Sequence, residues 1–272
     1  MGFKLILEYL YSNKATVVVI ILIPIILSLA YGNILYNEDH LGSQEKIELP
    51  RDSDTCSEDM ISQEKEEILN NDVKTDLIKL EEKRFKVNFY SSISSVASIA
   101  IVLGGIVSSL FVGKMMSDKS IIYILTNKSS KEKSYLETIS ILIPFVLIIG
   151  VVSSLAIVTL TLREFPEKSI SLLFFYTFII FVYSLLSGYA LSLTLSILFK
   201  NEVIPILGVI GYVVTLPSLN HGLDILIPMK NILLSHIYNV DIDLNWSFLG
   251  LTLFVVLFMV SYIGFKRGDF YK

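Results

Sequence analysis

Six apolar stretches, separated by polar segments, dominate the sequence. They run over 15–32, 88–113, 139–162, 169–198, 203–219 and 247–265. A helix needs about 20 predominantly apolar residues to cross the hydrocarbon core of a bilayer. Backbone groups inside lipid must bond within the chain, which favours helices. The pattern therefore predicts an all-α membrane protein with six transmembrane helices in one domain, residues 1–272.

The chain begins with a short amphipathic segment, residues 2–13. Its apolar side chains recur at helical spacing, with Lys4 and Glu8 off that face, which predicts an N-terminal interfacial helix. A secretory signal peptide is the alternative for this region. The first apolar stretch is longer than the usual signal core of about 7–15 residues, and no Ala-x-Ala site follows it. We therefore expect a retained span.

The longest polar segment is 33–86, between the first two spans. It is acidic, with fifteen Asp and Glu residues against eight Lys and Arg. Apolar residues in its second part, 58–84, have a loosely helical spacing. The sequence predicts an external segment, and leaves open whether it is a solvated loop or a small helical cap.

A second polar segment, 114–136, lies between the second and third spans. It holds five lysines against two acidic residues, and it encloses the apolar cluster 121–125. A connection that only reversed the chain would not need that cluster. We predict a short helix at the cytoplasmic membrane surface. Two roles stay open: the helix anchors the turn on the membrane, or another protein pushes on it.

Small residues recur at every fourth position of the fourth span. They are Ser184, Gly188, Ser192 and Ser196. Membrane helices approach each other closely through such residues, so the spacing predicts a tight helix contact. Chance spacing in a serine-rich span is the alternative.

Basic residues favour a cytoplasmic N-terminus. With that orientation, eleven Lys and Arg residues lie inside, three lie in the short outer loops and eight lie in 33–86. When 33–86 is counted as external, each side of the membrane therefore has eleven basic residues. The first span usually dominates orientation. Lys4 and Lys14 precede it, and no basic residue follows it until Lys46. We expect a multi-pass protein of the cell membrane with both termini in the cytoplasm.

The predicted spans contain no Asp, Glu, Lys, Arg or His, whereas ion-coupled transporters usually need such residues in the membrane. With one cysteine, Cys56, the chain cannot form an internal disulfide. Gly113-Lys114 resembles part of a phosphate-binding loop, but Ser108 and Met115 stand where that loop has Gly and Ser or Thr. We therefore expect no nucleotide hydrolysis by this chain, and a partner must supply the energy for any active work.

Several segments resemble the type-2 permease family of ABC transporters. Residues 4–32 look like that family's interfacial helix leading into a first span that contains a proline, here Pro24. Residues 118–125 are similar to its coupling helix after the second span, and 127–133 resemble its turn into the third span. The chain departs from the pattern because it lacks Gly-Thr after Lys119 and a proline before Ser129.

The end of the chain carries the same resemblance. Pro228 and the apolar residues after it are similar to the family's outer helices, and Lys266-Arg267 resembles its basic tail. The resemblance implies an exporter subunit in which two permease chains form the pathway and two cytoplasmic ABC ATPase subunits drive it. The expected partners are that ATPase, a second permease chain (the same or a sister) and the bilayer, without nucleic acid. ATP and Mg²⁺ would be bound by the ATPase; we expect no cofactor, metal or catalytic residue in this chain.

The expected ATPase-docking site is the coupling helix. An apolar centre with a charged rim is typical of protein interfaces, and aromatic residues such as Tyr123 are enriched among binding hot spots. The expected docking residues are Asp118, Lys119, Ile121, Ile122, Tyr123, Leu125 and Lys128. Two other functions stay open: a stand-alone membrane binding or immunity protein without an ATPase, and a secondary transporter or channel.

Overall fold

The computed structural model describes residues 14–42, 85, 89–126, 130–165, 169–238 and 244–268. These residues are almost entirely helical and include no strand, which confirms the all-α class. The predicted interfacial helix 2–13 lies outside the described residues. The same holds for 43–84 and 86–88, which make up most of the predicted external segment.

We number the helices in chain order. They are α1 Lys14–Gly42, α2 Phe89–Ser117, α3 Ile121–Thr126, α4 Lys131–Glu164, α5 Ile170–Phe199, α6 Val203–Thr215, α7 Gly222–Leu226, α8 Pro228–Tyr238 and α9 Asn245–Arg267. A π-helical turn, Ser109–Gly113, interrupts α2. A 3₁₀ turn, Leu216–Ser218, prolongs α6.

Within the described residues, four helices are long and apolar enough to cross a bilayer: α2, α4, α5 and α9. The apolar parts of α1 and α6, Ile20–Ile34 and Val203–Ser218, are shorter, between 10 and 17 residues. The structure therefore supports four of the six predicted spans by length and composition. The first and fifth predicted spans lie on the two shorter apolar helices.

Three helices extend beyond the predicted spans. Helix α1 continues to Gly42, so the first ten residues of the predicted external segment are helical. Helix α2 continues to Ser117. Helix α4 begins at Lys131, because the Ser130 hydroxyl accepts a hydrogen bond from the Lys133 backbone N–H at 3.3 Å and so caps the helix start. Polar helical turns therefore extend past the apolar stretches.

The long helices run alternately between two ends of the bundle. Helices α1 and α4 lie side by side in the same direction: Ile20 and Ile23 line a small cavity with Leu142 and Ile149, and further along both helices the Tyr31 hydroxyl bonds the Thr161 hydroxyl at 2.7 Å. The start of α4 meets the end of α9, where Lys131 Nζ donates to the Gly268 carbonyl at 2.9 Å. Thus α1, α4 and α6 run one way, and α2, α5 and α9 return.

Helix α5 lies at the centre of the bundle and packs on α4, α6, α9 and the π turn of α2. Its contact with α2 is close enough to involve backbone atoms. A Cβ added to Gly188 would overlap the carbonyl group of Ile101, and one added to Gly104 would overlap that of Leu185. Glycine is required at both positions because any side chain would separate the two helices.

Two short helices, α7 and α8, lie between α6 and α9 in the chain. They pack on the first turns of α9, where a Cβ on Gly250 would overlap the Ile225 carbonyl oxygen. The indole of Trp246 stacks on the His221 ring, with centroids 5.1 Å apart and planes at 6°. These contacts fix the end of the bundle that faces away from α3.

Candidate functional site

Basic side chains collect at one end of the bundle, which we call the basic end. It carries Lys14, Lys114, Lys119, Lys131, Lys133, Lys200, Lys266 and Arg267, against Asp118, Glu132, Glu137 and Glu202. The ends of α2, α5 and α9 and the starts of α1, α4 and α6 bring these residues together. A positive excess at one end is typical of the cytoplasmic face of a membrane protein.

The turn from α2 into α3 is tightly bonded. The Asp118 N–H donates to the Lys114 carbonyl at 2.8 Å, the Lys119 N–H to Met116 at 3.3 Å, and the Ile122 N–H to Lys119 at 3.0 Å. Lys119 has a φ of 57°, in the left-handed region that is uncommon for residues other than glycine. These three bonds bridge the short connection 118–120, so α3 is joined to α2 by a hydrogen-bonded turn.

Helix α3 is also held by its own side chains. Ile121 and Leu125, four residues apart and thus on one helix face, are only 2% and 7% exposed and belong to the main apolar core. Ile122 is half-buried and packs against the same core. The predicted short helix is present, and one side of its apolar cluster faces into the protein.

The seven expected docking residues thus fall into three groups. Asp118 and Lys119 are exposed, and Ile122 is half-buried at the edge of the core. Ile121 and Leu125 are buried and are not on the surface of this chain. Lys128 and the side chain of Tyr123 lie outside the described residues. Among the described residues of this segment, the accessible ones are therefore the charged turn that precedes α3 and, in part, Ile122.

A second structural element at the basic end was not predicted. The π turn of α2 lies against the residues that lead into α6: the Ser109 hydroxyl donates to the Glu202 carbonyl. A Cβ on Gly113 would lie 3.0 Å from the Glu202 Cα. Such turns are frequent at functional sites. Gly113 was the only signal in the sequence, because a π turn changes backbone hydrogen bonding without a characteristic pattern of side chains.

The start of α4 and the end of α9 form the remaining part of the basic end. Lys266 Nζ donates to Glu132 Oε1 at 2.7 Å. Lys131 Nζ donates to the carbonyls of Gly268 and Lys266, at 2.9 and 3.4 Å. One turn further in, the Tyr135 hydroxyl contacts the Ser261 hydroxyl. Helices α4 and α9 are therefore fastened to each other beside α3.

All four members of the small-residue stripe on α5 are buried. Gly188 lies on the α2 backbone, and Ser184, Ser192 and Ser196 are fully enclosed. The stripe positions α5 rather than presenting a surface, and its last member, Ser196, reaches the basic end, where its carbonyl accepts a hydrogen bond from the Lys200 N–H at 2.9 Å. Its part in the site is indirect, because it sets how closely α2 approaches the centre of the bundle.

Comparisons of the chain with protein-family models, with curated proteins and with solved structures find no match.

Proposed function

We propose that this chain is the membrane-spanning permease subunit of an ATP-driven ABC exporter. In this proposal α1, α2, α4, α5, α6 and α9 are six spans, both termini are cytoplasmic, and α3 is the coupling helix. Two permease chains, identical or sister chains, form the pathway. A separate cytoplasmic ATPase binds ATP and Mg²⁺ and drives transport.

The observation that carries the proposal is the rigid attachment of α3. The bonded turn 118–120 joins it to α2, and Ile121 and Leu125 fix it to the core. A displacement of α3 must therefore be passed to α2, because neither connection can lengthen without breaking hydrogen bonds or exposing apolar surface. A flexible loop would absorb the same displacement.

The π turn of α2 would pass this displacement on to other helices. It joins α2 to the start of α6 through Ser109 and the Glu202 carbonyl. It also packs against α5. A displacement of α3 would therefore reach α2, α5 and α6. Coupling between distant sites requires such a contiguous set of packed elements.

The docking surface in this proposal is Asp118, Lys119 and Ile122, with Tyr123 and Lys128 expected beside them from the sequence. Asp118 and Lys119 would form the charged rim and Ile122 the apolar contact. Ile121 and Leu125 act from inside, because they hold the helix in place while the partner binds its outer face.

A stand-alone membrane binding or immunity protein is the second candidate, and one observation favours it. Ile121 and Leu125 are buried in this chain alone, which is what a simple anchored turn would need. In that case α3 would have no partner, and the basic end would contact only lipid headgroups.

The test is co-purification. The expected result is that the reading frame next to this gene encodes an ATPase with a Walker A motif, and that the tagged chain, extracted in mild detergent, retains that ATPase. Retention that depends on residues 118–123 supports the permease. A chain that purifies without the ATPase, while both proteins are well expressed and folded, supports the stand-alone protein.

A further inference from the structure

A cleft with both polar and apolar lining residues lies at the end of the bundle opposite the basic end. Its volume is about 540 Å³. One wall is the first part of α2, and the other comes from the end of α6 and from α7 and α8. The lining residues are Tyr90, Ser91, Ser94, Ser95, Ser98, Pro217, Leu223 and Lys230. The cleft is distinct from the docking surface described above.

Lys230 is the cation of this cleft. It is half-buried, and no carboxylate of the described chain lies within 4.0 Å of its ammonium group. Burial lowers the pKa of Lys230, and the charge of Asp224 partly offsets that effect. Asp224 is itself engaged by other groups: Asn231 Nδ2 donates to its Oδ1 at 2.7 Å, and His221 Nδ1 lies 3.3 Å from its Oδ2.

The α2 wall of the cleft is a row of serine hydroxyls. Those of Ser94, Ser95 and Ser98 bond the carbonyls four residues earlier, at 2.6, 3.2 and 3.0 Å. From Tyr90 to Ser98 the wall extends about 12 Å along the helix, at 1.5 Å per residue. Polar groups on a membrane helix usually face a cavity or another protein rather than lipid tails.

The lining also has an apolar side. Pro217 and Leu223 belong to the cleft, and the neighbouring Leu219 is 61% exposed. Trp246, stacked on His221 at this end, and Tyr90 are residue types enriched at membrane–water interfaces. A ligand that combines a charged group with an apolar part fits such a lining better than a small soluble ion does.

We propose that this cleft binds the phosphate group of an anionic lipid. The Lys230 ammonium pairs with the phosphate, the serine hydroxyls, which already donate to backbone carbonyls, accept hydrogen bonds from hydroxyl groups of the headgroup, and the acyl chains leave past Pro217 and Leu223. One ammonium matches the single charge of a phosphodiester, whereas a phosphate monoester carries about −1.5 to −2 at neutral pH. The site would serve either proposed function, since it needs no ATPase.

The experiment uses the full chain, purified in a neutral detergent and titrated with phosphatidylglycerol. Bound lipid is counted by native mass spectrometry, and the melting temperature is followed in parallel. We expect phosphatidylglycerol to bind and stabilise the wild type, with phosphatidylcholine far weaker. Lys230→Gln should bind phosphatidylglycerol about fivefold more weakly, which corresponds to about 1 kcal/mol for one lysine at a membrane surface. Lys230→Arg should retain binding.

The matched control is Arg163→Gln, which removes an exposed charge at the same end without touching the cleft. It should bind like the wild type. Equal binding by wild type and Lys230→Gln would overturn the proposal, and so would equal binding of phosphatidylcholine. If inorganic phosphate raises the melting temperature as much as the lipid does, the cleft is a site for soluble anions, which would also overturn the proposal. If Lys230→Gln does not fold, the test is whether the wild type and Lys230→Arg both bind phosphatidylglycerol more tightly than phosphatidylcholine.

Discussion

Replacing Gly188 with alanine tests the closest contact in the bundle. The added Cβ would lie 2.7 Å from the carbonyl carbon of Ile101 and 3.0 Å from the Gly105 backbone nitrogen. The Ile101 carbonyl oxygen would lie closer still, and ordinary contacts of carbon are about 3.5–4.0 Å, so α2 and α5 would have to separate by about 1 Å or more. The obstacles are backbone atoms, which cannot rotate away as a side chain could.

Two opposing contributions determine how much Gly188→Ala changes the free energy of unfolding. Overpacking in a well-packed core costs about 1–3 kcal/mol. Exchanging glycine for alanine inside a helix favours folding by about 0.8–1.0 kcal/mol. The control is Gly211→Ala, where an added Cβ meets nothing within 4 Å and only the second term applies. The difference in the free energy of unfolding between the two variants should therefore be about 1–3 kcal/mol.

The assay is unfolding of the purified variants in mixed micelles with increasing SDS, followed by circular dichroism or tryptophan fluorescence. Gly188→Ala should unfold at a lower SDS fraction than the wild type, and Gly211→Ala at the same fraction or a higher one. Gly188→Leu should unfold at a still lower SDS fraction than Gly188→Ala. Equal stability of the two alanine variants would refute the close crossing of α2 and α5.

Two further predictions concern topology and packing. In a Cys56→Ser background, a cysteine at Lys133 should react with a membrane-impermeant maleimide only after lysis, and one at Asn220 should react in intact cells; the reverse pattern would invert the orientation. Tyr31→Phe should lower the free energy of unfolding by about 0.6–1.7 kcal/mol, because it removes the buried hydroxyl contact with Thr161 between α1 and α4. Tyr212→Phe is the matched control, and an equal loss there would count against the contact.

The helical class and the short helix in the second polar segment were predictable because each depends on a local pattern. Apolar runs of membrane length require helices, and a compact apolar cluster between lysines requires a surface on which to pack. Small residues four apart on α5 likewise predicted a close helix contact, because membrane helices approach each other through such residues. These features are visible within a single element.

The division of α3 into a buried and an accessible side was not predictable. Ile121 and Leu125 face the core only because of how α2, α4 and the turn at Lys119 come together, which is a property of tertiary packing. The same reason applies to Lys230: the sequence placed it in an outer connection, but its position beside the serines of α2 requires two distant segments to meet. The full length of α4 was missed because a serine cap and a charged first turn extend an apolar helix into water.

In the proposed function, an ATPase drives this chain through the outer face of α3 and the turn before it. Ile122→Asp and Lys119→Glu change that face, and Lys133→Glu makes the matched charge change on α4 at the same end. Loss of an interface hot spot costs about 2 kcal/mol or more, roughly a 30-fold weaker complex.

The deciding measurement is substrate-stimulated ATP hydrolysis in liposomes that contain the chain and its neighbouring ATPase. We predict that Ile122→Asp and Lys119→Glu reach the membrane folded but lose the stimulation and the co-purifying ATPase, while Lys133→Glu keeps both. Undiminished stimulation in Ile122→Asp and Lys119→Glu would contradict ATPase docking on α3 and leave this helix as an anchored turn.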